Sequence, residues 1–107
     1  MITDIEIGGV KRPFNMGLFA IATFQKVSGI AVHETGFTKE DMTLEVALKF
    51  IWCGLKDGAR VKGEPFDLTV EGMADLIDAD PNGMTVMAEA LEYISHSIST
   101  PEAAEKK

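Results

Sequence analysis

At 107 residues the chain is long enough for one domain around one core, and 46% hydrophobic with 25% charged residues is a globular composition. Its formal net charge of −7 repels phosphate, which argues against a nucleic-acid partner and suits a basic protein surface or a cation. The imbalance is local: residues 1–53 carry five basic and six acidic side chains, residues 54–107 five and eleven, and no Lys or Arg stands between Glu64 and Glu105. The plain alternative is a solvated face that keeps the protein soluble. The single Cys53 excludes an internal disulfide and is compatible with the cytosol. Met1-Ile2-Thr3-Asp4 has neither the basic start nor the apolar run of a signal peptide, so the expected location is the cytoplasm. The longest uncharged, mostly apolar stretch, near residues 13–25, falls short of the ~20 residues that span a bilayer, so no membrane association is expected.

In chain order, residues 2–7 end in alternating β-branched positions, Gly8-Gly9 follows, and Val10-Lys11-Arg12-Pro13-Phe14 comes next. A Gly-Gly link between such runs predicts a tight hairpin, because both positions take φ > 0 freely. The register then sets Ile7 opposite Val10 and Glu6 opposite Lys11, with Thr3, Ile5, Ile7, Val10 and Phe14 on one face. Pro13 cannot donate to a ladder, so its strand is an edge or is ending.

The next element is a helix from about Gly17 to Ser28, stopped by Gly29. Leu18, Ile21, Ala22, Phe24 and Val27 form its apolar face on a wheel. Phe19 falls beside Thr23 and Lys26, where an aromatic is either covered by another element, the simpler expectation, or left for a partner. Residues 30–37 read as a loop. Thr38 and Asp41 form a capping box for a helix from Lys39 to about Lys56. That helix is apolar around most of its wheel, so it is expected at the centre of the bundle, with Glu45 and Lys49 paired on its one charged stripe. Asp57-Gly58 is its expected end, and residues 59–67, punctuated by Gly63 and Pro65, a connector.

Thr69 caps a short helix through Ile77, with Met73, Leu76 and Ile77 inward and Glu71, Asp75 and Asp78 outward. A last helix runs from about Pro81 to Ile98, with Met84, Met87, Ala88, Leu91 and Ile94 on one stripe. The fold class expected is α+β, mainly α: an N-terminal β-hairpin followed by a small four-helix bundle with a central apolar helix. Residues 1–98 form a single domain and 99–107 a disordered tail.

The only constellation that suggests inorganic chemistry is residues 78–89. Asp78, Asp80, Asn82 and Glu89 fall at positions 1, 3, 5 and 12 of a calcium loop, with Gly83 at position 6. Pro81 argues against that reading. It pushes Asp80 toward extended geometry, which suits a helix cap, and fits the first helical position, where a missing N–H costs nothing. No second copy of the loop exists. The loop is therefore read as a cap, with a calcium-binding EF-hand-like regulatory module as the alternative function.

Cys53 lies between Trp52 and Gly54 on the most apolar helix, which predicts a buried, inert thiol. His33 and His96 have no metal-site spacing with it. No nucleophile elbow, Walker loop or dinucleotide fingerprint is present. No catalytic, cofactor-binding or metal-ligating residue is assigned, no cofactor is expected, and the chain reads as a non-enzyme. Phe19, Phe37 and Phe66 fit the core stripes poorly and are the candidate partner-binding residues.

Taken together, the hairpin Ile-Gly-Gly-Val-Lys-Arg-Pro-Phe, the helix Gly-Leu-Phe-Ala-Ile-Ala-Thr-Phe, the central helix ending Gly-Leu-Lys-Asp-Gly-Ala-Arg, the segment Gly-Glu-Pro-Phe-Asp-Leu-Thr-Val-Glu and the short helix ending Asp-Ala-Asp-Pro resemble the tail assembly chaperones of long-tailed bacteriophages and prophages. The resemblance covers roughly residues 2–97 and rests on turn and cap residues. It implies a non-enzymatic role in the bacterial host cytoplasm: binding the tape measure protein, keeping it soluble and recruiting tail-tube subunits. Self-association is left open. Such genes often carry a programmed frameshift near their end, and Lys106-Lys107 is what an A-rich slippery stretch would encode.

Overall fold

The computed structural model describes residues 2–29 and 43–98. The chain opens as an antiparallel hairpin of β1 (Ile2–Ile7) and β2 (Val10–Asn15), in the register set by the Gly-Gly turn: Ile7 faces Val10 and Glu6 faces Lys11. Gly8 and Gly9 stand at φ 61° and 81°, the left-handed geometry that a two-residue turn of this hand requires. Four helices follow: α1 (Leu18–Ser28), α2 (Leu44–Lys62), α3 (Val70–Ala79) and α4 (Gly83–Ile98). The expected class, α+β and mainly α with a leading hairpin, is what the described residues form.

A lone two-stranded hairpin is marginal in water, so this one needs a surface to lie on. β2 packs on α2, β1 on α4, and Ile5, Ile7 and Phe14 are buried there. Val10, expected on the same inner face, is 51% exposed, so the covered face stops short of the hairpin tip. The tip is fixed differently: the Gly8 N–H donates to Asp80 Oδ2 at 2.8 Å, across the fold to the turn between α3 and α4.

Helix α2 is the centre, in contact with β2, α1, α3 and α4. It starts with Thr43, whose hydroxyl accepts from the Val46 N–H; the expected Thr38–Asp41 cap lies outside the described residues. Glu45 and Lys49 pair at 3.3 Å as their spacing predicts. The helix does not end at Asp57-Gly58. It runs on to Lys62 and closes at Gly63, φ 72°, where the Glu64 N–H reaches back to the Ala59 carbonyl in a Schellman arrangement. The reason is packing. Gly54 and Gly58 lie one turn apart under β2: a Cβ on Gly54 would run into the Phe14 ring, and one on Gly58 into the Pro13–Phe14 backbone. Gly58 is thus a close-approach glycine within the helix, not its stop.

Two apolar faces are rotated from expectation. In α1 the buried residues are Ala20 and Phe24, while Leu18 is 87% exposed and Ala22 and Val27 are also open. Helix α1 packs chiefly on α2, and a single i,i+4 pair suffices for that contact: the Phe24 ring stacks on Phe50 with centroids 3.6 Å apart. In α4, Val86, Met87, Ala90 and Ile94 are buried, whereas Met84 and Ala88 are exposed and Leu91 half-buried. The helix begins at Gly83, not Pro81. Its first residue lies against the Ile77 carbonyl, which a side chain there would strike. α3 behaves as expected, with Thr69 Oγ1 accepting from the Gly72 N–H at 2.9 Å, Met73 and Ile77 buried, Leu76 half-buried, and Glu71, Asp75 and Asp78 outside.

Candidate functional site

Phe19 and Phe66, separated by 47 positions in sequence, line one groove of about 700 Å³ between α1, the C-terminal half of α2 and the connector before α3. Each is held by a chain of contacts. Phe19 is 56% exposed, with the Arg60 guanidinium 4.6 Å from its ring centroid. Arg60 Nε in turn donates to Asp57 Oδ1 at 2.6 Å, and the other carboxylate oxygen accepts from Asn15 Nδ2 at 2.8 Å. Asp57 is only 3% exposed, so the Asn15–Asp57–Arg60 relay fixes the cation that covers Phe19. On the far wall the Trp52 Nε1–H donates to the Leu68 carbonyl at 2.8 Å, and its ring meets Phe66 edge-on with centroids 5.8 Å apart. Lys56 Nζ lies 5.7 Å from the Trp52 centroid.

The groove is therefore a partly exposed aromatic surface whose charged rim carries Lys26, Lys56 and Arg60, against Asp57, which Arg60 pairs, and Glu64. Three cations at one place stand out in a chain of net charge −7. The third candidate residue, Phe37, lies outside the described residues. Sequence reasoning missed Trp52, Lys26, Lys56 and Arg60 as groove residues. The signal was present: Trp52, Lys56 and Arg60 follow at i, i+4 and i+8, one stripe of a helix that does not stop at Lys56.

Cys53 lies at the base of the groove and is buried, as expected. Burial pushes its thiol up to about 12, against the opposing pull of the Lys56 ammonium. At pH 8 the folded protein should leave iodoacetamide essentially unconsumed, while the urea-unfolded chain alkylates readily. A folded-state rate near that of a free thiol would place the sulfur in the open.

The Asp78–Glu89 segment is divided between two helices and a turn. Asp78 lies in the last turn of α3, and residues from Gly83 onward, Glu89 included, are already wound into α4. Asp80, extended at φ −82° and ψ 126°, accepts the Asn82 N–H on Oδ1 at 2.8 Å and the Gly8 N–H on Oδ2. The Asp80 carboxylate thus closes the turn ahead of α4, instead of capping a helix that starts at Pro81, and anchors the hairpin. Among the described residues no group of three or more His, Cys, Asp and Glu side chains is gathered as for a metal ion. His33 lies outside the described residues.

These two donors, Gly8 foremost and then Asn82, hold the Asp80 carboxyl below its ordinary 3.8. A depressed folded-state value means the ionised form favours folding. Its contribution is complete above the ordinary value and is lost as pH falls through the depressed one. The stability gap between wild type and Asp80→Asn should accordingly be full at pH 6 and shrink below pH 3.8 in urea melts. A gap independent of pH would show that the carboxylate charge plays no part in the tether.

Among the described residues no helix is long and apolar enough to cross a membrane. No family model, characterised protein or solved structure matches the chain.

Proposed function

We propose that this protein is a non-enzymatic phage or prophage tail assembly chaperone, working in the cytoplasm of the bacterial host by binding the tape measure protein and tail-tube subunits. The observation that carries the binding role is the groove in which an exposed Phe19 lies beside half-buried Trp52 and Phe66 under a rim of cations. Aromatic residues and arginine are the side chains that dominate protein interfaces, and here Phe19 is left exposed with Arg60 over its ring. The choice of partner rests on the resemblance of the hairpin, helix-end and cap segments to such chaperones.

The test is a pull-down and titration with the tape measure protein encoded by the same phage or prophage. Phe19→Ala/Phe66→Ala should weaken binding by roughly tenfold or more, since two anchors of this type each contribute on the order of 1–2 kcal/mol. Binding within about twofold of wild type would remove the groove from the interface. A long coiled-coil-rich reading frame immediately downstream of the gene supports the assignment; its absence opposes it.

A further inference from the structure

A second apolar trough shares no lining residue with the aromatic groove. It consists of two recesses of about 490 and 520 Å³, joined through Leu44, Leu48 and Ala74, at the N-terminal half of α2 and along α3 to the start of α4. Leu44 is 68% and Met84 81% exposed, and both turn into it. Its charged lining is mostly acidic: Asp75, Asp78 and Asp80 at the α4 end, Glu45 and Glu71 at the other, with Lys49 as the one cation, already paired with Glu45.

We propose that this trough docks a basic amphipathic helix from a partner protein, with apolar side chains on Leu44, Leu48 and Met84 and lysines or arginines against Asp75 and Asp78. Three observations select that occupant. Glu71, Asp75 and Asp78, beside an apolar floor and apart from the engaged Asp80 and Glu45, complement a cationic helix and reject an acidic one. The ten residues of α3 give the trough a length of about 15 Å, or roughly three helical turns of ligand, enough for anchors at i, i+3 or i+4, and i+7. Met84 and Met87 line it with unbranched, adaptable side chains suited to such anchors. A second copy fits poorly, because α3 and α4 contain no Lys or Arg and two chains at −7 repel. The proposal does not depend on the aromatic groove or on its partner.

The probe is a synthetic peptide of about 14 residues, with leucines on one helical face and lysines flanking them, titrated into the full chain at about 0.15 M salt. Its sequence-scrambled twin and a twin with glutamate for lysine serve as controls. The amphipathic basic peptide should bind roughly tenfold tighter than either twin. Asp75→Asn/Asp78→Asn and Met84→Ser, all at exposed positions, should each remove most of that advantage, while Phe19→Ala/Phe66→Ala leaves it intact. Equal binding of the scrambled peptide would reduce the effect to net charge and overturn the proposal. So would indifference to Asp75→Asn/Asp78→Asn, self-association abolished by Met84→Ser, or a calcium titration signal at these aspartates without peptide binding.

Discussion

Phe24→Ala should lower the unfolding free energy by about 3–5 kcal/mol, a large share of the roughly 5–15 kcal/mol of a typical domain. Phe24 is fully buried, and its ring lies flat on Phe50 with centroids 3.6 Å apart. The other buried residue of α1 is the small Ala20. Removing the Phe24 ring leaves a void that α2, held on its other sides by β2, α3 and α4, cannot move to fill. Urea denaturation followed by far-ultraviolet dichroism measures the loss. Phe24→Leu, which keeps most of the apolar volume, should cost only about 1–2 kcal/mol and stay folded for comparison. A loss under about 1 kcal/mol for the alanine variant would mean that α1 is not anchored through this ring.

Gly58→Ala tests the other close contact. In an open helix the exchange stabilises by up to about 1 kcal/mol, because glycine carries the greater entropy cost. Here the sign should reverse, with a loss of about 2–3 kcal/mol, because the added methyl meets the Pro13–Phe14 backbone, which cannot rotate away as a side chain does. Gly54→Ala should cost less, since the Phe14 ring opposite it can swing aside at the expense of its contact with Tyr93. The order of the two variants is the informative result. If both stabilise, β2 does not lie on this strip of α2.

The sequence was most legible where a local rule acts alone. Gly8-Gly9 set the hairpin and its register, Gly29 ended α1, Thr69 capped α3, and Glu45 found Lys49. It misled where a distant partner changed the meaning of a residue. Gly58 has the signature of a helix stop, but β2 makes it a seat, and the error hid Arg60 on the same helix. The helical wheels of α1 and α4 ranked faces by apolarity. Burial instead followed which neighbour came near, leaving Leu18 and Met84 outside. Phe19 and Phe66 were singled out because they fitted no core stripe, and that misfit located the groove. Its cations were invisible to the same reasoning, since Lys56 and Arg60 were assigned to different elements.

The bond from the Gly8 amide to the Asp80 carboxylate spans 72 residues of sequence. On a ribosome the first two strands emerge with Ile5, Ile7 and Phe14 uncovered, and no cover exists until α2 has been made. Their outer end is secured only after the turn at residue 80 has left the exit tunnel. The hairpin is thus made well before the turn that clasps it, and because so late a contact contributes little to the folding transition state, a variant that weakens this clasp should show itself chiefly as faster unfolding.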